Sequence, residues 1–172
     1  MISEKTAGFV IEKALSKGGD FAEIFCENTV RNSISMVNGR VDSALSGIDY
    51  GAGIRIFNGT NAVYVYTNDL SEKNLLKTAE QAAEAVEGKA FVRRKNFAPY
   101  GYDNRNIIKI MPEDIGNREK RDILKEASDA AFSYNSLITQ VKTGYADSVQ
   151  DVLIANSEGI WAEDRRVGTR FT

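Results

Sequence analysis

Apolar and polar positions along the chain follow two periods, one of about 3.6 residues and one of two, and the changes between them mark its elements. Ala7, Val10, Ile11, Ala14 and Leu15 form the stripe of a first helix, with Ser3 as candidate cap and Gly18-Gly19 as its stop. From Ala22 to Met36 the period becomes two. Ala22, Ile24, Cys26, Val30, Ile34 and Met36 hold even positions, and Glu23, Glu27, Thr29, Arg31, Ser33 and Ser35 hold odd ones. One packed face and one wet face predict an antiparallel strand. Its length predicts a bend or bulge, for which Asn28 is the candidate place.

Asn38-Gly39 predicts a hairpin, and Val41 to Tyr50 a strand running back. The stretch from Gly51 to Ser71 is the densest in signals. Ile54 and Ile56 alternate with Arg55 and Phe57, Asn58-Gly59 interrupts, and Ala62 to Thr67 follows, rich in Val and Tyr. Asn-Gly between two such runs predicts a type I′ turn, whose two central residues need positive φ. Asp69 with Glu72 reads as a capping box for a second helix, with Ser71 the competing cap. That helix carries Leu75, Ala79, Ala82, Ala83 and Val86 on one face, and Gly88 ends it.

Residues Lys89 to Pro112 form a long loop, with Ile107 to Ile110 as a candidate short strand. A third helix spans Asn117 to Tyr134, with Ile123, Ala127, Ala130, Ala131 and Tyr134 as its predicted packed face. Strands follow over Ile138 to Tyr145, over Val149 to Ala155 and from Ile160 onward, with Asn156-Ser157-Glu158-Gly159 turning the last pair. The order is helix, four strands, helix, long loop, helix, three strands. It predicts an α+β fold, a mostly antiparallel sheet with three helices grouped on one face. Residues 1–172 are expected to form a single domain, with 89–112 as a loop or insertion. The last strand runs to Thr172 without a cap or polar tail, and an open edge of that kind invites aggregation. The chain is therefore expected to be cut from a longer protein.

Composition narrows the chemistry. The 172 residues are 42% hydrophobic and 27% charged, the proportions of a globular domain. A net charge of −2 gives no whole-chain field for nucleic acid or anionic membrane, and no apolar run is long enough to span a bilayer. The single cysteine, Cys26, cannot form an internal disulfide, and the expected compartment is the cytoplasm. There is no histidine. That removes His-based triads, Cys/His dyads and nearly all zinc hydrolase sites, and leaves Asp, Glu, Lys or Tyr for any acid–base role.

Each candidate constellation has a plainer reading that is favoured. Gly47, Gly51, Gly53 and Gly59 lack the third glycine before a helix that a phosphate loop needs, and they read as sheet bends and a hairpin. Arg93-Arg94-Lys95 with Phe97, Tyr100 and Tyr102 could suit a single strand of nucleic acid, but a solvated loop or a protein contact is favoured. The carboxylates Asp103, Glu113 and Asp114, or Asp147 and Asp151, show no metal-site spacing. Cys26 alternates in phase with Ile24 and reads as a small buried hydrophobe. Trp161, near Arg165-Arg166, suits strand packing more than an interface. No catalytic, cofactor-binding or metal-ligating residue is assigned.

Four pieces together resemble the N-terminal half of the TldD/PmbA family, once described as modulators of DNA gyrase and now regarded as metallopeptidases. They are Gly19-Asp20-Phe21-Ala22-Glu23-Ile24, then Gly51-Ala52-Gly53-Ile54-Arg55 with Asn58-Gly59, then Thr67-Asn68-Asp69-Leu70-Ser71, and finally Val152 to Gly159. Residues Lys89 to Pro112 have no clear counterpart. The resemblance implies a parent that is a zinc metallopeptidase. Its metal would sit on a His-Glu-x-x-x-His helix in the second half, with zinc ligands in the missing C-terminal part and no metal or cofactor in this chain. It also implies a second TldD/PmbA-type subunit and a peptide substrate as partners, with no membrane and nucleic acid disfavoured. The N-terminal half would be scaffold, dimer surface or cleft wall. Two alternatives stay open: a non-catalytic structural partner subunit of such a peptidase, and an adaptor domain interacting with DNA gyrase.

Overall fold

The computed structural model describes residues 1–86, 88–90, 93–101 and 107–172. The elements are α1 (Glu4–Ala14), β1 (Phe21–Val37), β2 (Arg40–Asn58), β3 (Asn61–Thr67), α2 (Glu72–Glu84), β4 (Ala98–Pro99), α3 (Asn117–Tyr134), β5 (Lys142–Asn156) and β6 (Ile160–Phe171). The strands are ordered β3-β2-β1-β5-β6-β4 in one sheet. β2 and β3 pair antiparallel, whereas the two-residue β4 pairs parallel with β6 at Ile160 and Trp161. Ser157 N bonds to Ala22 O at the start of β1, and Asn38 N to Val141 O at its end, so β5 runs antiparallel to β1. Three helices with a mostly antiparallel sheet make the α+β fold that the patterning predicts.

Two long strands stand where four shorter ones are predicted, and Ile107 to Ile110 form no strand. β2 runs unbroken through Asp49-Tyr50-Gly51, and β5 through Ala146-Asp147-Ser148. The turn-type residue in the second case is Asp147, whose carboxylate is bonded to Lys120 and Asn32 and so does not compete for its own backbone. β5 starts at Lys142 rather than Ile138 because Asn135 holds the preceding residues in a turn. Its side chain accepts from Leu137 N and its carbonyl from Ile138 N.

Packing divides the chain into two compact units, each built from several segments. The first comprises residues 1–28, 49–103 and 151–164. Its core joins Val10 and Ile11 of α1, Leu75 of α2, and Ile24, Ile54 and Leu153 of the strands, all essentially inaccessible. Ser3 caps α1 by accepting Thr6 N at 3.1 Å. α1 and α2 lie together, clipped by Lys13–Glu80 at 3.0 Å and by Thr6 Oγ1 donating to Glu72 at 2.9 Å. The alanines Ala79, Ala82 and Ala83 are buried as predicted. The cap of α2 is Ser71, not Asp69. Ser71 accepts from Asn74 N, while Asp69 accepts Ser71 N at 2.9 Å in the turn just before. That bond holds the Asp69 carboxyl below its usual value.

The second unit comprises residues 29–48, 104–150 and 165–172. Ile34 and Met36 of β1 pack with Leu124 of α3, and Tyr145 leans on them. The alternation of β1 shifts after Cys26, so that Thr29 is buried and Glu27 and Asn28 are both part-exposed, close to the predicted irregularity. α3 corrects its predicted face. Lys120, Leu124 and Ser128 are buried, while Ile123 is 52% and Tyr134 86% exposed.

The two hairpins differ in type. At Asn38-Gly39 both residues have positive φ, 52° and 71°, the pattern of type I′. At the second hairpin Asn58 pairs with Asn61, so the loop is Gly59-Thr60. Only Gly59 has positive φ there, which is the type II′ pattern rather than the predicted I′. Asp20 selects this turn by accepting Gly59 N at 2.6 Å.

Ser128 Oγ has no hydrogen-bond partner among the described residues, although the residue is 1% exposed. An unpaired buried hydroxyl is destabilising. Ser128→Ala is expected to raise stability by about 1 kcal/mol in urea unfolding; a loss of 1 kcal/mol or more would show that the hydroxyl is bonded.

Candidate functional site

In the second unit, alternation along the strands sorts side chains onto two faces. Those of Ile34, Met36 and Tyr145 face α3, and Thr143 Oγ1 donates to the Leu124 carbonyl. Asp147 continues that row. Its carboxylate accepts Lys120 Nζ at 2.7 Å and Asn32 Nδ2 at 2.9 Å. Asn32 Oδ1 in turn accepts Ser46 Oγ at 2.8 Å. The Lys120 and Asp147 side chains are 5% and 1% exposed. Burial by itself would raise the Asp147 carboxyl; the bonds from Lys120, Asn32 and Tyr145, with the Lys120 charge, outweigh it and hold the group below its usual value. Burial, reinforced by Asp147, pushes the Tyr145 hydroxyl up.

The opposite face of these strands is open. It presents Arg31 and Ser33 on β1, Ala146 and Ser148 on β5, Gly168 and Arg170 on β6, and Leu45 and Gly47 on β2. A Cβ built on Gly168 would lie 3.4 Å from Ser148 Oγ, which puts the two on one face. These residues line a trough of about 740 Å³. A hollow of about 290 Å³ extends it past Ser35, Gly144 and Thr172, sharing Ser33, Ala146 and Arg170. Asp147 is the one carboxylate in the lining, and its oxygens are bonded from the α3 side. The trough offers guanidinium groups, hydroxyls and backbone, the chemistry of a binding surface.

The sequence candidates separate. Of the paired carboxylates, Asp147 is a structural partner of Lys120, and Asp114 accepts Met111 N at 3.3 Å. Glu113 is exposed, and Asp103 and Tyr102 lie outside the described residues. Among the described residues no three of His, Cys, Asp and Glu cluster to hold a metal ion. Gly51 and Gly53 sit inside β2, where the Thr67 carbonyl and the Tyr64 ring take the space of a side chain. Cys26 is fully buried, and burial pushes its thiol up to about 11.

In the basic and aromatic segment Arg94 and Phe97 dock on the first unit, whereas Arg93, Lys95 and Tyr100 are exposed, as the solvated reading predicts. Arg94 pairs with Glu12 at 3.2 Å and lies 4.9 Å from the Phe97 ring centroid. Phe97 in turn packs on Trp161, ring centroids 5.5 Å apart. The Asn156–Gly159 turn receives this segment. Asn156 Oδ1 accepts both Glu158 N and Ile160 N at 3.1 Å, Ser157 Oγ accepts Ala22 N at 3.1 Å, and Ser157 O accepts Lys95 N at 2.9 Å. Gly159 has φ +92°, and a Cβ there would stand 2.5 Å from Asn96 O. The sequence marked this turn only by its residue types; the asparagine-serine pair inside an apolar run was the signal for its depth.

Two family models match the chain. One, described as PmbA/TldA metallopeptidase domain 1, matches residues 22–86; the other, described as PmbA/TldA metallopeptidase central domain, matches residues 110–172. The chain belongs to the TldD/PmbA metallopeptidase family. A metalloprotease TldD homolog from Buchnera aphidicola (subspecies Acyrthosiphon pisum) is 21% identical over 175 residues, which is 99% of this chain and 35% of the relative. A TldD homolog from Haemophilus influenzae is 26% identical over 159 residues, 89% of this chain and 32% of its own. The chain spans about a third of the length of the curated relatives it matches. A solved Bacteroides thetaiotaomicron protein, named as a proposed modulator of DNA gyrase, shares the fold with a TM-score of 0.77 at 16% identity, covering 99% of this chain and 41% of that one. Residues 87–109 fall between the two TldD/PmbA matches; of Lys89 to Pro112, read from the sequence as without clear counterpart, residues 110–112 lie inside the central-domain match.

Replacing Asp147 by Asn strands the Lys120 charge, which is expected to cost about 3–5 kcal/mol. The double change Lys120→Met with Asp147→Leu should recover most of that loss in urea unfolding. Because the folded carboxyl is held below its usual value near 4, its contribution is present above about pH 4 and is lost as pH falls through the lower folded value. Acid unfolding of the double variant should lack that component.

Proposed function

We propose that this chain is the N-terminal, non-catalytic part of a TldD/PmbA-like zinc metallopeptidase of the cytoplasm, helping to form the peptide cleft and the subunit interface of a parent that degrades or processes peptides. The observation that carries this reading is the family match joined to the donor inventory. The chain has no histidine, and its one thiol is buried and pushed to about 11. These residues do not fit a catalytic zinc, which prefers imidazole and thiolate ligands. In this reading the zinc ligands lie outside this chain, and a second TldD/PmbA-type subunit shares the cleft. No helix among the described residues is long and apolar enough to cross a membrane.

What this chain contributes is strand edge and surface. β4 covers only Ile160 and Trp161 of β6, so in the second unit the β6 edge from residue 165 to 171 has no further strand beside it among the described residues. An extended peptide can add to such an edge through backbone hydrogen bonds.

The test is peptidase activity of the isolated chain and of its full-length parent, each with and without chelator. The expected outcome is an inactive chain and a parent that loses activity on chelation. Chelator-sensitive cleavage by the isolated chain would overturn the assignment.

A further inference from the structure

The outer side of α3 carries an apolar seam. Ile123, Ala127, Ala130 and Tyr134 follow one another at steps of four, three and four residues, the spacing of a helix that packs on another helix. The seam lies beside the face that α3 turns to the sheet. Lys120, Leu124 and Ser128 are buried there, whereas Ile123 is 52% and Tyr134 86% exposed, Ala130 is exposed and Ala127 half-buried. It runs for about 16 Å, or about three turns. The two alanines at its centre leave room for a second backbone to come close. At about 100° per residue, Glu119 and Glu126 flank the seam on its outer side, and Leu124 and Ala131 flank it on the sheet side. Both glutamates are exposed, and neither has a lysine or arginine three or four residues away along the helix. Glu119 accepts Gly116 N with one oxygen. The other two carboxylates of α3 are paired, Asp122 with Arg121 and Asp129 with Lys125. Among the described residues, the two carboxylates of α3 that lack a cationic partner thus both border its apolar seam.

We infer that this seam docks an amphipathic helix of another protein, whose own apolar positions lie on Ile123, Ala127, Ala130 and Tyr134 and whose lysines or arginines lie beside Glu119 and Glu126. The spacing selects a helix. Side chains that recur every 3.5 residues match it turn for turn, whereas those of an extended peptide recur every two. The flank selects the charge, because residues bordering a helix–helix seam set partner choice by ion pairing across it. A second copy of α3 would bring the same two glutamates to the seam, and its remaining flank is taken by its own sheet, so it offers no cation. An anionic lipid surface is repelled by the same flank, since helices that lie on membranes carry basic residues there. Docking at α3 requires neither zinc nor the peptide cleft, and so goes beyond the reading of this chain as part of a peptidase.

The test is fluorescence anisotropy on this chain and on its full-length parent, with labelled helical peptides as long as α3 that place leucine at the two seam positions of each heptad. One peptide carries lysine at the flanking positions and a second carries glutamate. A third keeps the lysines and has serine in the seam. The lysine peptide should bind both proteins, about tenfold more tightly than the glutamate peptide and less tightly as salt rises. The serine-seam peptide should not bind. Glu119→Gln with Glu126→Gln should remove the preference for lysine over glutamate, glutamine being able to keep the bond from Gly116 N. Ile123→Ser with Tyr134→Ser, at exposed positions, should weaken the lysine peptide about tenfold or more, while circular dichroism and urea midpoint stay near wild type. Equal binding of the lysine and glutamate peptides, unchanged affinity in the serine variant, or binding by the isolated chain and not by the parent would each overturn the inference. Self-association of the chain that the serine variant abolishes, or binding to vesicles containing phosphatidylserine, would give the seam to a second copy or to a lipid surface and overturn it equally. Peptide binding is read without any peptidase assay, so its failure is distinct from failure of the assignment to a metallopeptidase.

Discussion

A lysine ammonium can leave water only if something inside the protein replaces the hydration it gives up. In the second unit that constraint governs the architecture. Lys120 is buried against Asp147, Asp147 is held by Asn32, and Asn32 is held by Ser46. One ion pair therefore ties α3 to β5, β1 and β2. The apolar cluster beside it consists of Ile34, Met36 and Leu124 with Tyr145 against them, a small core for eighteen residues of helix. Hydrophobic burial there favours many placements of α3, whereas a charge that needs its partner at 2.7 Å favours one. The same pair keeps Asp147 in strand conformation, and with it the row of small residues on the opposite face.

This explains where sequence and structure part. α1 and α2 were legible because Val10, Ile11, Leu75 and Ala79 bury an apolar stripe, and hydrophobic period is what such a reading detects. α3 was legible as a helix and not as a face, since the residues it buries are Lys120, Leu124 and Ser128. Apolar positions at Ile123 and Tyr134 outvoted them and are exposed. The same partner made a break in β5 look plausible at Asp147. The trough was invisible for a related reason: glycine, serine and alanine carry no pattern of their own, and Arg31 and Arg170 meet only through strand order. The N-terminal blocks, by contrast, keep local signals such as Asn-Gly turns and Ser caps, so the family and the fold class could be read from them, though the type of the second hairpin could not. That depended on Asp20, thirty-nine residues away from Gly59.

The first unit rests on a different device. The Asn156–Gly159 turn satisfies its own amides with one asparagine side chain and then spends its serine on β1 and its carbonyl on Lys95. Arg94, Phe97 and Trp161 stack behind it. A segment that lies between the two family-model matches is thus anchored to the Asn156–Gly159 turn. The family matches also divide the polypeptide by sequence, at residues 87–109, whereas packing divides β1, β2, β5 and β6 each between two units. Homology here follows the order of the chain and cohesion follows its folding.

Cys26 ends as something other than a site. It is the sole thiol, fully buried in the core of the first unit, with its proton held to about 11. A thiol reacts as thiolate and only when reached, so in the native state this one is silent. An alkylating reagent added to the folded protein therefore reads out any opening that exposes the core around Cys26, with no engineered label and no background from other cysteines.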